Sequence, residues 1–182
     1  MKMNTTAMIL VAFCAAIIAV LAQITIPLPL IPITGQTLAI GLVVTILGRK
    51  YGTYSVLLYI LLGAIGFPVF QAMTGGIGIL FGPTGGYIIG FIPTAIIIGH
   101  YLEKFGFTIT HAIVANIIGM FVTLIFGAYW LKVLNHLTWE AAFIGGVVPF
   151  IIVGIVKSIV AAFIGIIVHK RLTEAKLITK LS

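Results

Sequence analysis

Long apolar segments separated by short connections are the feature that most constrains the fold of this chain. A transmembrane helix needs about 20 mostly apolar residues. The composition, 62% hydrophobic and 7% charged, suits lipid rather than water as the surrounding solvent. We therefore predict an all-α membrane protein with one integral membrane domain over residues 1–182. The six predicted spans cover residues 6–24, 36–47, 54–67, 86–102, 111–134 and 145–168.

Basic residues indicate the orientation of these spans. If successive spans alternate in direction, Lys132 falls on one side of the membrane and eight other basic residues fall on the opposite side, which the positive-inside rule makes cytoplasmic. Both termini are thus predicted to be cytoplasmic. A nucleic-acid partner is not expected, because the charges lie at helix ends rather than on one soluble face. The eight residues are Lys2, Arg49, Lys50, Lys104, Lys170, Arg171, Lys176 and Lys180.

Two connections on the outer side, 25–35 and 68–85, contain no charged residue. The neighbouring spans 36–47 and 54–67 are shorter than the ~20 residues that cross a bilayer, so these Pro- and Gly-rich connections have to complete the crossing. Irregular backbone at membrane depth is tolerated chiefly where it lines a cavity. We therefore expect a cavity that opens outward, with these connections as its walls and lid.

Lys157 is the residue that points most directly to a ligand. It lies roughly 16 to 18 Å from either end of the last predicted span, and a charge at that depth costs on the order of 2.5 to 3.5 kcal/mol on insertion scales. The acidic residues all fall in connections or in the tail, so the missing anion is predicted to be a carboxylate ligand. The alternative is a structural lysine that is uncharged, or is satisfied by carbonyls and water. The acidic residues are Glu103, Glu140 and Glu174.

Further binding candidates surround this lysine or follow the short spans. Helical spacing places Phe150 and Gly154 on the Lys157 face, and the glycine leaves space for a pocket wall. Thr84 precedes the fourth span, where it could cap the helix while nearby amides face a ligand. A tight turn that binds nothing, or aromatic anchoring at the membrane interface, would explain the connection residues equally well. The remaining candidates are Thr34, Gln36, Phe70 and Tyr87.

The first span carries a stripe of small residues. Such a stripe allows close approach of another helix, either within this bundle or from another subunit. Trp130 and Trp139 flank the last outer connection, as expected of a belt in contact with membrane lipid. We predict no metal and no cofactor, because Cys14 is the single cysteine and the chain has no phosphate-binding glycine loop or H-E-x-x-H motif. The stripe comprises Ala12, Ala15, Ala16, Ala19 and Ala22.

Four strings of this sequence are characteristic: IPLP at 26–29, PITGQTL at 32–38, LLGAIGFPVF at 61–70 and FGPTGGYIIGF at 81–91. Through these strings the chain resembles the BioY family, the substrate-binding S components of energy-coupling factor (ECF) transporters. The resemblance implies a six-helix bundle in the cell membrane of a prokaryote that binds biotin from outside. It also implies that Ala12, Ala15, Ala16 and Ala19 contact a transmembrane coupling subunit that carries two ATPase subunits.

One position departs from the family pattern. The last helix of the family usually reads Pro-Phe, three residues, then Asp-x-x-Lys, whereas here Gly154 stands in place of the aspartate before Lys157. An aspartate could accept hydrogen bonds from the ureido N–H groups of biotin, and an unpaired buried donor costs about 1 to 3 kcal/mol. Lipoate, which ends in an apolar dithiolane ring, is therefore the alternative ligand. A membrane enzyme acting on a lipid and a structural scaffold are the alternative classes, although no acidic metal ligands or nucleophile are visible at membrane depth.

Overall fold

The computed structural model describes residues 5–177 and is mostly helical. Lys2 and Lys180, two of the basic residues used to predict orientation, lie outside the described residues. In chain order the elements are α1 (Thr5–Ala22), β1 (Thr25–Ile26), β2 (Ile33–Thr34), α2 (Gln36–Ala64), a 3-10 turn (Gln71–Met73), α3 (Gly78–Phe81), α4 (Gly85–Phe105), α5 (Ile109–Leu134), α6 (Trp139–Gly146) and α7 (Val148–Glu174).

Helix α2 is broken at Gly48, where the chain turns back on itself. Gly48 has φ 74° and ψ −172°, a backbone conformation that glycine adopts without steric cost. The Nε2 atom of Gln36 donates a 2.7 Å hydrogen bond to the hydroxyl of Tyr59, 23 residues away. A straight helix would separate these residues by about 35 Å. Residues 36–47 and 49–64 are therefore two antiparallel arms, which we call the first and second arms of α2.

Four stretches of the described residues are long and apolar enough to cross a membrane: α1, α4, α5 and the α6–α7 run Trp139–Glu174. They correspond to the predicted spans 6–24, 86–102, 111–134 and 145–168. The two other predicted spans, 36–47 and 54–67, overlap the arms of α2, which cover residues 36–47 and 49–64. Each arm is shorter than the ~20 residues of a regular span, because the chain reverses at Gly48 beside Arg49 and Lys50. Helix α2 lies between α1, α4 and α7, and α5 packs against α4 and α7.

The connection between α1 and α2 differs from the all-α prediction. Thr25 pairs with Thr34 and Ile26 pairs with Ile33 in a short antiparallel hairpin, which satisfies backbone groups that an irregular buried loop would leave unpaired. The side chain of Leu30 in this hairpin lies against Gly145. The hairpin therefore reaches across the bundle to α6.

Gln23 fastens the segment between α2 and α4 to the end of α1. Its Nε2 donates to the carbonyl of Phe70 at 3.1 Å, and the amide of Met73 donates to its Oε1 at 2.9 Å. Ala72 and Met73 have φ values of 54° and 55°, a region that non-glycine residues seldom occupy. The long-range hydrogen bonds hold this unusual turn in place, and with it Gln71.

The alanine stripe of α1 faces in two directions. Ala12 and Ala16 are exposed and Ala19 is half-buried, whereas Ala15 is 2% exposed because it packs inside the bundle. The predicted contact surface for a coupling subunit is therefore narrower than the sequence suggested. Ala15 serves the packing of α1 within this chain, and the side chains left available to a partner helix are those of Ala12, Ala16 and Ala19.

Candidate functional site

A cavity lies between the first arm of α2, α4, α5 and α7, with residues 31–32 of the hairpin and Gln71 at its edge. The volume of the cavity is about 60 Å³, whereas a single water needs ~10–15 Å³. Its lining therefore encloses room for several atoms of a ligand. Seven predicted binding residues line it: Thr34, Gln36, Thr84, Tyr87, Phe150, Gly154 and Lys157.

Lys157 is the charged residue of this lining. It is half-buried, and its Nζ donates to the carbonyl of Thr34 at 2.6 Å and to the hydroxyl of Thr37 at 3.3 Å. Both partners are neutral, and the salt bridges within residues 5–177 join other side chains, Arg49 to Glu103 and Arg171 to Glu174. An ammonium has three N–H donors. The positive charge of Lys157 is therefore solvated by neutral groups and has no acidic partner among the described residues.

Gln36 holds the carbonyl partner of Lys157 in position. Its Oε1 accepts a 2.8 Å hydrogen bond from the Thr34 hydroxyl, and its Nε2 donates to the Tyr59 hydroxyl at 2.7 Å. Gln36, Thr34 and Tyr59 are all buried. A chain of hydrogen bonds thus runs from the second arm of α2 through Gln36 to the residue that Lys157 contacts. Gln36 lines the cavity, but its amide is already engaged within the protein.

Phe70 does not line the cavity, unlike the other predicted binding residues. It is fully buried, and its ring packs edge-on against Tyr59 with the centroids 5.5 Å apart. The ring also fills the space beside Gly63, where a Cβ atom would collide with it. Phe70 therefore anchors its connection to the second arm of α2, and the neighbouring Gln71 reaches the cavity instead.

The turn before α4 brings Thr84 and Tyr87 to the cavity. Thr84 stands at the N-cap of α4, but its side chain makes no capping hydrogen bond, which differs from the capping role considered from sequence. The indole Nε1 of Trp130 donates to the carbonyl of Gly82 at 3.0 Å and ties the turn to α5. The Tyr87 hydroxyl donates to the carbonyl of Gly146 at 2.7 Å, and its ring lies 6.1 Å from that of Phe150.

A second polar region lies deeper along the first arm of α2. The Thr45 hydroxyl donates to the carbonyl of Gly41, so its oxygen is free to accept a 3.0 Å hydrogen bond from Asn116 Nδ2. The same Nδ2 donates to the carbonyl of Ala112 at 2.8 Å. Both amide hydrogens are thus used. The Oδ1 of Asn116, which lies close to Gly41, remains as a hydrogen-bond acceptor at the cavity wall.

Sequence reasoning did not select Asn116 or the neutral hydroxyl residues that line the cavity near it. Thr94 and Thr123 share a 2.8 Å hydrogen bond between their hydroxyls, and Ser158 follows Lys157 on α7. These residue types are common between membrane helices as interhelical hydrogen-bonding groups. Their sequence signal is therefore weak, and only their convergence on one cavity distinguishes them.

Gly154 faces Met120 across the cavity wall. A Cβ atom at position 154 would collide with the thioether sulfur of Met120. The space that a side chain at position 154 of α7 would take is thus filled by the long apolar side chain of Met120 on α5. The wall at this point is apolar, whereas the regions around Lys157 and Asn116 are polar.

Within residues 5–177 there is no group of three or more His, Cys, Asp or Glu side chains that could hold a metal ion. The fold and the cavity together define a class: helical membrane proteins with an internal site for a small molecule.

The sequence model of the BioY family matches residues 1–174. A biotin transporter, BioY2, of Lactococcus lactis subsp. cremoris is 40% identical over 165 residues, which covers 91% of each chain. The biotin transporter BioY of Thermotoga maritima is 39% identical over 155 residues, 85% of this chain and 90% of the relative. This chain belongs to the BioY family. Its named relatives are transporters, so the alternative of a lipid-acting enzyme is not supported.

A solved structure supports the same conclusion at the level of the fold. The crystal structure of the S component for biotin from an ECF-type ABC transporter superimposes with a TM-score of 0.86. The two chains are 28% identical, and the alignment covers 93% of this chain and 95% of the other.

Proposed function

We propose that this chain is the substrate-binding S component of an ECF-type importer and that it captures biotin from outside the cell. The biotin transporters among its relatives and the likeness to an S component for biotin support this proposal. The single observation that carries it is Lys157, a cation on the wall of an internal cavity with neutral protein partners. A carboxylate is the ligand group that offsets the cost of such a charge.

The separation of the two polar regions supports an elongated ligand. Lys157 contacts residue 34, which precedes α2, and residue 37 in the first arm of α2, whereas Asn116 contacts residues 41 and 45 of the same arm. At 1.5 Å per residue, positions 37 and 45 differ by about 12 Å, and positions 37 and 41 by about 6 Å. A ligand with a carboxylate at one end and N–H donors at the other fits this spacing. Biotin has a pentanoate carboxylate for Lys157 and a ureido ring whose N–H groups can donate to Asn116 Oδ1.

The proposed topology is one integral membrane domain over residues 1–182 with six crossings. Both arms of α2 count as crossings in this arrangement, completed by their connections, and both termini face the cytoplasm. The excess of Lys and Arg on one side of the alternating spans supports the orientation. The chain would act in the cell membrane of a prokaryote together with a transmembrane coupling subunit and two ATPase subunits.

Lipoate is a second candidate ligand, and the Gly154–Met120 contact favours it. Lipoate offers Lys157 the same kind of carboxylate but ends in an apolar dithiolane ring. The thioether of Met120 fills the space that a side chain at position 154 would occupy, so no acid stands there to accept hydrogen bonds from ring N–H groups. The acceptor on Asn116 favours biotin instead, and side-by-side binding measurements separate the two ligands.

Calorimetry on the purified protein tests both the function and the role of Lys157. We expect the wild type to bind biotin more tightly than lipoate. Lys157→Gln removes a charge-assisted contact worth about 1.5 to 3 kcal/mol, so it should weaken binding of biotin about tenfold or more. It should weaken binding of the primary amide of biotin much less, because that ligand has no carboxylate.

The matched control is Lys104→Gln, which removes an exposed lysine outside the cavity. It should leave biotin binding unchanged. Equal losses for the acid and the amide in Lys157→Gln would refute the carboxylate contact. If the wild type bound lipoate tightly and did not bind biotin, the ligand would be lipoate, the second candidate.

A further inference from the structure

A second, larger concavity lies on the periphery of the bundle, where α5 meets α6 and the start of α7. It has about 510 Å³ of space by the same measure as the cavity, and every residue that lines it is apolar or aromatic. The small side chains of Ala128 and Ala142 form part of its floor, and exposed rings of Phe121 and Phe143 form its sides. We call this concavity the peripheral groove.

One end of the peripheral groove has an aromatic rim and a cation. The rings of Tyr129 and Trp139 lie 6.3 Å apart. Lys132, one helical turn beyond Tyr129 on α5, holds its Nζ 4.9 Å from the centroid of the Trp139 ring. Glu140 is next to Trp139 but makes no salt bridge with Lys132 among the described residues. The positive charge at this end of the groove is therefore not neutralised by the chain.

We propose that the peripheral groove binds one anionic phospholipid, with an acyl chain along its apolar floor and the headgroup phosphate at Lys132. The order of the parts matches that of a phospholipid: an apolar slot, then an aromatic pair of the kind found at the membrane interface, then a cation. The proposal requires only that the chain lies in a membrane and does not depend on which vitamin the cavity binds.

Charge complementarity selects a phospholipid over other occupants of an apolar groove. An apolar transmembrane helix would cover the floor but would leave the Lys132 ammonium without an anion. Within the bilayer an acyl chain gains little from apolar contact alone, because the surrounding lipid is equally apolar. The selectivity must therefore come from the cation, and an anionic headgroup is preferred over a zwitterionic one.

The peripheral groove and the ligand cavity have one lining residue in common. Leu124 lines both of them. Tyr87, which lines the cavity, donates a hydrogen bond to Gly146 at the end of α6, the helix that forms one side of the groove. A lipid in the groove therefore packs against the outer face of the cavity wall.

Native mass spectrometry of the full chain tests the proposal. The probes are phosphatidylglycerol and phosphatidylcholine with identical oleoyl chains, added together in equal amounts to delipidated protein. A lysine near an anionic lipid surface is worth about 1 kcal/mol, which corresponds to about a fivefold preference. We expect phosphatidylglycerol to be retained about fivefold over phosphatidylcholine by the wild type, and this preference to vanish in Lys132→Gln.

Lys104→Gln is a closely matched control, because Lys104 also holds its Nζ over a ring, that of Phe105, at 5.3 Å, but lies outside the peripheral groove. It should keep the preference. Ala128→Leu fills the floor and should reduce retention of both lipids. The proposal is overturned if the wild type shows no preference, if both lysine variants lose it equally, or if Ala128→Leu retains lipid like the wild type. A persistent dimer that Ala128→Leu dissociates would assign the groove to a second copy instead.

Discussion

At the scale of single residues, the cavity separates groups that face a ligand from groups that hold those residues in place. Lys157 faces the cavity, while the side-chain amide of Gln36 is hydrogen-bonded to the hydroxyls of Thr34 and Tyr59. The amide hydrogens of Asn116 are bound by Thr45 and Ala112. These bonds fix the orientation of the side chain and leave its Oδ1 as a free acceptor. Buried polar groups are costly unless they are paired. These networks therefore fix which atom of each side chain is left for a ligand.

Thr45→Val tests whether the orientation of Asn116 matters for binding. The change removes the hydroxyl at a fully buried position with little change of shape, and the amide of Asn116 loses one of its two acceptors, keeping only the carbonyl of Ala112. We expect the affinity for biotin to fall about tenfold, in line with a hydrogen-bond contribution near 1 kcal/mol plus an unpaired amide hydrogen. Calorimetry measures the affinity, and Thr45→Ser, which retains the hydroxyl, should bind like the wild type. Wild-type affinity in Thr45→Val would contradict this role.

At the scale of elements, the pair of antiparallel arms of α2 is the least regular part of the helical bundle. Its turn depends on Gly48, and its close packing depends on Gly52. A Cβ atom at position 52 would lie 2.9 Å from the Cα of Val44 in the opposite arm. Because that neighbour is backbone, it cannot move aside without displacing the whole arm. The first arm carries Thr37, which contacts Lys157, and also Gly41 and Thr45, which contact Asn116. The geometry of the two arms therefore also affects that of the cavity.

Gly52→Ala should therefore destabilise the protein. Overpacking of a tight contact costs about 1 to 3 kcal/mol, and we expect a lower thermal midpoint in detergent. Gly78→Ala is the matched control, because a Cβ atom at position 78 would meet nothing within 4 Å. It should leave the midpoint close to that of the wild type. Equal midpoints for the two variants would argue against the close contact between the arms.

At the scale of the whole molecule, α1 presents a narrow surface of small residues on the outside of the bundle. Ala12 and Ala16 are exposed on it, and Ala19 is half-buried. The proposed coupling subunit would approach this surface closely, since small side chains allow two helix backbones to come together. The peripheral groove lies on other helices, α5, α6 and α7.

Ala16→Trp should block the proposed contact with the coupling subunit while leaving biotin binding intact. Co-purification with a tagged coupling subunit measures the first effect, and calorimetry on the isolated chain measures the second. Ile152→Trp is the control, because Ile152 is 77% exposed and lies on α7 rather than on α1. Loss of co-purification in Ala16→Trp alone is expected. Equal co-purification of both variants would remove α1 from the coupling surface.

The sequence by itself determined the features that depend on local pattern. Apolar segments of sufficient length predicted α1, α4, α5 and α7, and the break in apolar character around Arg49 and Lys50 separated the two arms of α2. Lys157 stood out because a charge deep in an apolar segment is rare and costly. Four short sequence strings also predicted the BioY family, which the family match confirmed.

Only the tertiary structure decided which polar atoms meet. Lys157 reaches Thr34 across 123 residues, and Asn116 reaches Thr45 across 71. Neither pairing leaves a periodic signal, because threonine and asparagine occur between membrane helices for many reasons. The same holds for Phe70, which packs into the second arm of α2 rather than the cavity, and for Ala15, which turns inward. Side-chain direction in these cases follows from how helices distant in sequence pack together, which local pattern does not encode.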